Sequence, residues 1–485
     1  MTSSAAISSP PRPPGVYRSA RPRARAYPRV RTDVVGFVGF LGSRRVHEVV
    51  LVDDWREFEQ AFLVGEPGSP ADVPSGSQIV LDVRAYFNNG GRTAAIVNVG
   101  GELAAPPTPH ARNAKRSELA ALLLGLPVSP DALGHQQPPP RAWGLTKLID
   151  SERAAVVVIS GLNARWTVKR TLPAPYVSPG AGFHPCHGAP EPKLASSFEQ
   201  VEPLFSTSND DTTTYDTSIN AAIDACAAAP TPCFLLLTPP PALGTEAACA
   251  WADHIRAGAG VESESCAVYW PWVRAELESG SPTPAMSPLG FVAGSYAAAD
   301  HAEGPGRAAA NDPLVGIVGA ERALLPSQVA QVVNHSINPI VAAPQRGFVA
   351  YGARTLAWVP QGAAPLHAPH GRAAITAVPV RRMLSAIMQT ARQIGQTSVF
   401  EPNDLGTQLE LGQVLFGYLL RLFEVGVLLG TTEEQAFFIR PISPLPVAES
   451  ALGFEIGVAI AQPAEFLVFR LGRRGGNIGT PEATA

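Results

Sequence analysis

Apolar positions along this chain change period several times, and each change marks an element. Val83, Tyr86 and Phe87 recur at helical spacing and then meet Asn88, Asn89, Gly90 and Gly91, residues that tolerate the left-handed turn with which helices end. Thr93 to Val99 follows, a nearly continuous apolar run bounded by glycine on both sides, which reads as a strand covered on both faces. A helix that stops abruptly into a buried strand is an α/β unit. Upstream, "TDVVGFVGFLG" (32–42) predicts a strand, and "VVLVDDWREFEQAFL" (49–63) predicts a strand followed by a helix, with Asp53 or Asp54 as N-cap and Phe58 and Phe62 on one face.

From Asn220 the alternation becomes regular. Helix "INAAIDACAAA", strand "CFLLLTPPP", helix "TEAACAWADHIRAG" and strand "CAVYWPWVR" follow one another, the signature of a parallel sheet covered on both faces. Further short strands and glycine-bearing turns are expected in "ANDPLVGIVGAERAL" and "INPIVAAPQRGFVAYGARTLAWV". The last hundred residues change character: helices at Pro379 to Gln393 and Asp404 to Val425 precede strands "AFFIR", "GFEIGVAIA" and "AEFLVFRLG" and a polar, glycine-containing tail, an α+β pattern. In "AEFLVFRLG", Phe466, Val468 and Arg470 alternate against Leu467, Phe469 and Leu471 with both faces largely apolar, so this strand is expected to lie between others. Residues 101–142 and 173–215 are rich in Pro, Gly, Ser and Thr and flank the short buried strand of "AAVVVISGL", which places an exposed insertion there.

With 485 residues the chain is too long for one core, and 46% hydrophobic with 16% charged residues fits a soluble globular protein of two to four domains. The net charge of −4 hides an asymmetry. Arg12, Arg18, Arg21, Arg23, Arg25, Arg29 and Arg31 lie in the first 31 residues with no acid among them, and the rest is mildly acidic, which excludes nucleic-acid binding by the bulk. Lys115, Lys147, Lys169 and Lys193 are the only lysines, a compositional habit that says little about chemistry. No apolar stretch approaches the ~18 residues a membrane span needs, and the N-terminus has no hydrophobic signal core, so synthesis in the cytoplasm is expected. Pro10, Pro11, Pro13, Pro14, Pro22 and Pro28 exclude the amphipathic helix of a transit peptide and favour an extended arm, in which "GVYRSA" (15–20) alternates as an added edge strand would. Five cysteines, Cys186, Cys226, Cys233, Cys249 and Cys266, are an odd, scattered set and read as buried thiols.

Candidate chemistry is sparse. No G-x-S-x-G elbow and no serine nucleophile turn with matching Asp and His occur. The glycines of "GFVGFLG" (36–42) have no P-loop lysine after them and read as close-packing positions. His184, Cys186 and His187 in "FHPCHG" supply three metal-ligand types, but at a spacing too short for zinc pairs and with no second half-site, so no metal and no cofactor is expected. Glu401 and Asp404 in "VFEPND" resemble a carboxylate pair, yet Asn403 or Asp404 falls where an N-cap belongs, ahead of an apolar face of Leu405, Leu409, Phe416, Leu419, Leu420 and Phe423. "TTEE" (431–434) fits a capping box. Gly406, Gly412 and Gly417 each cost that helix about 1 kcal/mol relative to Ala, which suggests close approach of another helix or of a further protein, or a merely marginal helix.

Taken in order, "PGVY", "VGFVGF" with "VVLVDDWREFEQAF", "FNNGGRTAAIVNV", "LLLTPPP", "VYWPWVR", "GFVAGSYAAAD" with "AAAND", "INPIVAAPQRGFVAYGARTL", "VFEPND" and "PAEFLVFRLG" span roughly two thirds of the chain and resemble the contractile tail sheath proteins of phage tails, bacteriocins and extracellular injection machines. Where relatives carry a polar, strand-like run before the first C-terminal helix, this chain reads "TAVPVRRML", and residues 101–142 and 173–215 match no part of the pattern. The resemblance implies an extended N-terminal arm at 1–33, an N-terminal α/β region with the insertion at 34–215, a subtilisin-like α/β domain at 216–362 and a C-terminal α+β polymerisation domain at 363–485. It implies a non-enzymatic subunit that stacks as rings around an inner tube and contracts, with further copies of itself, the inner tube and baseplate and cap proteins as partners, and neither nucleic acid nor direct membrane insertion. The particle would be phage tail-like, assembled in the cytoplasm and released. Gly15, Val16, Tyr17 and Arg18 would form an intersubunit arm, and Phe466, Leu467, Val468, Phe469 and Arg470 an intersubunit strand. The alternatives are a short-oligomer cap or adaptor of the same machine and a degenerate hydrolase.

Overall fold

Strand β1 (Val35–Gly39) is buried along its whole length, and the large sheet is laid out on both sides of it. The computed structural model describes residues 30–64, 73, 77–100, 103–106, 108–126, 142–171, 197–205, 212–277, 285–360, 363–367, 373–397, 405–442, 453–460, 466–474 and 477–479. Strand β2 (Val49–Val52) leads into α1 (Trp55–Phe58), which widens into a π turn over Glu59–Leu63. Asp54 is the cap: its carboxylate accepts from the Glu57 amide at 2.8 Å, and the Glu57 carboxylate accepts in return from the Asp53 amide at 2.8 Å.

Helix α2 (Gln78–Asn88) ends as its sequence demands. Gly90 takes φ +92, and the Asn89 side chain pairs with Val315, accepting from its amide at 2.7 Å and donating to its carbonyl at 3.1 Å. The Tyr86 hydroxyl donates to the Thr93 carbonyl at 2.7 Å, so the turn is bolted to the start of β3 (Ala94–Asn98), all of whose residues are buried. At the other end of β3 the Asn98 side chain accepts from the amides of Leu41 and Gly100, both at 2.9 Å, and donates to the Gly42 carbonyl at 2.9 Å, tying together the loops that leave β1 and β3.

Helices α3 (Pro109–Leu124) and α4 (Gly144–Asp150), strands β4 (Val156–Val158), β5 (Arg165–Thr171) and β6 (Ser197–Pro203), and helix α5 (Thr212–Ala227) follow. Then come β7 (Phe234–Leu237), α6 (Thr245–Ala259), β8 (Cys266–Trp270), β9 (Val273–Ala275), α7 (Leu289–Glu303), β10 (Ile317–Ala320), α8 (Pro326–Asn334), β11 (Ile337–Ala343) and β12 (Gly347–Ala350). One sheet of order β12-β11-β8-β7-β4-β1-β3-β2 results, parallel inside and closed at each end by an antiparallel strand. Residues of α3 to α6 fill one face, and residues of α1, α2 and α7 fill the other. Helices α2 and α7 cross at close range because Gly290 and Gly294 face α2: a Cβ on Gly290 would overlap the Asp82 backbone, and one on Gly294 would lie 2.5 Å from the Tyr86 carbonyl oxygen.

Two sequence-based expectations need correction. The 34–215 and 216–362 regions share this sheet and both of its cores, so the boundary at 215/216 falls inside one folded body. The stretch expected to be an exposed insertion contributes Leu119, Leu122, Leu123, Leu204, Phe205 and Tyr215 to the core, because its Pro, Gly and Ser content masks short apolar runs.

The C-terminal unit has its own core. Helices α9 (Val378–Gln396) and α10 (Leu405–Glu424), with the single turn α11 (Glu433–Ala436), pack on an antiparallel sheet of β13 (Phe437–Pro441), β14 (Gly453–Val458), β15 (Leu467–Arg474) and β16 (Asn477–Gly479) in that order. The tail expected after the third strand thus supplies a short fourth one. The expected capping box is absent: Thr432 is the N-cap of α11 without a side-chain cap bond, and Gln435 instead accepts from the Thr431 amide at 3.0 Å.

Candidate assembly surfaces

Strand β15 places the five residues picked out near the C-terminus. Phe469 and Leu471 point inward, opposite Ile456 and Phe454 of β14, and are buried against α9 and α10. Phe466, Val468 and Arg470 take the other face and are half-buried. On that face Phe438 of β13 lies over Gly457, whose lack of a Cβ makes the room, and meets the Phe466 ring edge-on at 5.0 Å. Arg470 pairs with Glu455 across the strands at 3.2 Å. On one side β14 pairs with Leu467–Gly472; on the other β16 reaches only Gly472–Arg474, so Leu467 to Leu471 have an edge with no strand partner among the described residues. A largely apolar strand edge that no described strand covers is a template for another strand.

Helix α10 is the second surface. Leu411, Leu415 and Leu419 are buried in the C-terminal core, whereas Leu405, Leu409 and Phe416 are 70%, 58% and 42% exposed. They recur at i, i+4 and i+11, one stripe of the helix, and Val425 beyond its end is exposed as well. A Cβ on Gly412 would stand 3.4 Å from the Phe454 ring, ordinary van der Waals contact, so packing within the chain does not demand a glycine there.

Helix α9 joins the two units. Its Arg381 pairs with Glu264 at 3.0 Å, and Arg382 grips both oxygens of Asp300 at 2.8 and 2.5 Å. All four side chains are at most 4% exposed. Eleven residues on from Arg381, Arg392 reaches Glu152 at 2.6 Å and Thr231 at 3.1 Å. Three arginines of one helix therefore dock the C-terminal unit on the α/β body. Neither partner of the first two pairs can be lost without leaving a buried charge.

Other candidate residues fall elsewhere. Gly15, Val16, Tyr17 and Arg18 lie outside the described residues, as do His184, Cys186, His187, Glu401 and Asp404. Among the described residues no group of three or more His, Cys, Asp and Glu is placed to hold a metal. Cys226, Cys233, Cys249 and Cys266 are buried thiols outside any disulfide; burial pushes Cys233 up to about 12 and Cys249 up to about 11, which leaves them protonated at neutral pH. No described helix is long and apolar enough to cross a membrane.

The scan against protein-family models finds no match, and the search of curated proteins finds none either. Solved structures do match. A chain of the PVC sheath complex of an extracellular contractile injection system, in the contracted state, superposes with a TM-score of 0.55 at 17% identity, covering 95% of this chain and 97% of that one. A chain of the helical sheath of the anti-feeding prophage, also contracted, gives 0.53 at 20% identity over 93% and 97%. This chain has the contractile-sheath fold. A chain of the anti-feeding prophage baseplate in the contracted state is similar to it too, with a TM-score of 0.58, 19% identity and coverage of 93% and 95%. Near-complete coverage in both directions means that the likeness takes in the α/β body and the C-terminal unit together. The β15 edge and the exposed stripe of α10 are thus surfaces of a sheath-fold chain, on the unit that the three arginines of α9 hold in place.

Proposed function

We propose that this protein is the sheath subunit of a contractile tail or contractile injection system, a structural, non-enzymatic chain with an α/β body of subtilisin-like topology. Copies polymerise as stacked rings around an inner tube and contract to drive that tube into a target. The observation that carries this reading is the match over more than nine tenths of the chain to sheath complexes caught in the contracted state. The open edge of β15 at Phe466, Leu467, Val468, Phe469 and Arg470 is where a strand from a neighbour would add, and residues 15–18 of the N-terminal arm are the segment suited to be donated. The apolar stripe of α10 would face the inner tube. Two packings of the same subunits, differing by a few kcal/mol each and summed over a polymer, would store the energy of contraction. The partners are further copies, the inner tube protein and baseplate and cap proteins, in a phage tail-like particle.

The baseplate match favours a second reading, a short-oligomer adaptor of the same machine. Negative-stain microscopy of the purified protein separates the two: long striated tubes are expected of a sheath, and preparations that never exceed single rings would overturn it.

A further inference from the structure

Three consecutive residues ahead of β1, Arg31, Thr32 and Asp33, are each held by a different part of the fold. Arg31 grips Asp33 with Nε to Oδ1 at 3.0 Å and Nη2 to Oδ2 at 2.8 Å, and Nη2 also donates to Thr93 Oγ1 at 3.1 Å. Thr93 donates on to Asp53 Oδ1 at 2.5 Å, so the grip crosses from the start of β3 to the end of β2. The Thr32 carbonyl accepts from Arg382 Nη2 at 3.2 Å, and Arg382 is itself locked to Asp300 of α7. The Asp33 carbonyl accepts from the Tyr86 hydroxyl of α2 at 3.3 Å.

Local folding does not require this. β1 already has ladder partners on both sides, and a strand entering a parallel sheet needs no more. The bonds made by Arg31 and Arg382 are charge-assisted, and although Arg31 and Asp53 reach the surface, Asp33, Tyr86, Thr93, Arg382 and Asp300 are buried, where such bonds hold one geometry. They also lead to two separate places: the Thr93–Asp53 branch ends in the large sheet, and the Arg382–Asp300 branch ends in α7 and in α9 of the C-terminal unit.

We propose that residues 31–33 are a tension anchor, the node through which a pull on the N-terminal arm enters both units of the chain at once. The source of the pull rests on the sheath reading, since only an arm docked in a neighbour can be pulled. With the load split between the sheet and α9, the two units are drawn together, and the subunit turns as one body. Arg382 is a positioning residue in this scheme: it fixes where the arm leaves, and touches nothing foreign.

The arm's own arginines supply the probe. In limited trypsin digestion of the full chain, followed by mass spectrometry, the Arg31–Thr32 bond is expected to be cut at least about tenfold more slowly than Arg29–Val30, since a held bond must first open locally. The variant Thr93→Val/Asp300→Asn/Arg382→Met releases both branches without leaving a buried charge, and should bring the two cleavage rates within about threefold. Equal rates in the wild type, or an unchanged ratio in the variant, would overturn the anchor whether or not the protein polymerises. Wild-type protein that forms no tubes would instead sink the sheath reading. Where tubes form, Thr93→Val alone should lower the guanidinium midpoint at which they widen, with the melting temperature of the monomer kept; an unmoved midpoint refutes the load-bearing role.

Discussion

Asp82 has no exposed surface, and it lies where α2 and α7 press closest. Gln78 Nε2 donates to it at 3.2 Å, and the Ser160 hydroxyl and Gly290 amide also face it, yet burial outweighs these donors and pushes the carboxyl up to about 7. The sign of the consequence follows from linkage. The folded-state value lies above the ordinary 3.8, so the fold holds a proton that the unfolded chain has released. Stability from this group is complete below pH 3.8 and is lost progressively as pH rises toward and through about 7. Asp82→Asn should therefore match the wild type near pH 4 and exceed it at pH 8 by up to about 4 kcal/mol in urea unfolding, at about 1.4 kcal/mol per unit. A constant difference across that range would mean that Asp82 does not titrate in the folded state. Gly290 beside it leaves no choice of side chain: Gly290→Ala should cost about 1–3 kcal/mol by overpacking, read as a lower melting temperature at unchanged secondary structure.

At the scale of elements, β15 and α10 each divide their residues between a core and an open surface. Val468 is on the half-buried face and next to the unpaired edge, so a carboxylate there disturbs little of the chain's own core, in which Phe469 and Leu471 do the packing. Val468→Asp is expected to leave a folded monomer and abolish tubes; full-length tubes from this variant would remove β15 from the assembly interface. The stripe on α10 makes a parallel case. Leu405→Gln/Leu409→Gln should keep the melting temperature within about 2 °C, since exposed positions contribute little to folding, while binding of the inner tube protein drops at least about tenfold. Unaltered binding would leave the stripe without a partner in the tube.

For the molecule as a whole, the decisive property is that the two units are joined along one helix by three charge pairs, two of them buried. Parting the two units would strand buried charges at Arg381, Glu264, Arg382 and Asp300, which is costly. Assembled tubes should then respond to mild guanidinium or acid by shortening and widening irreversibly before any subunit unfolds, which microscopy and circular dichroism on the same sample would record. Tubes that only depolymerise count against contraction. Deleting Met1 to Ala20 is expected to give a monomer of unchanged melting temperature that forms no tubes, because a segment with four prolines and little apolar content builds no core; normal tubes would end the strand-donation mechanism.

Local chemistry was legible in the sequence by itself. Asn89 and Gly90 end α2, Asp54 starts α1, and the apolar runs at β1, β3, β7 and β8 become inner strands, because backbone conformation and burial period act over a few residues and leave their mark there. The two helices and three of the four strands of the C-terminal unit were visible for the same reason. What only the tertiary structure decided is where distant segments meet. Nothing around Arg382 announces Asp300, Thr32 and Tyr296 as its surroundings, since a buried ion pair has no period and no spacing. The division at 215/216 failed because strand order is set by crossovers, and β4, which pairs with β1 on its own side of that boundary, pairs with β7 across it. The burial of Leu119, Leu204 and Tyr215 was hidden for a related reason: composition averages over a stretch, whereas packing selects single side chains from it.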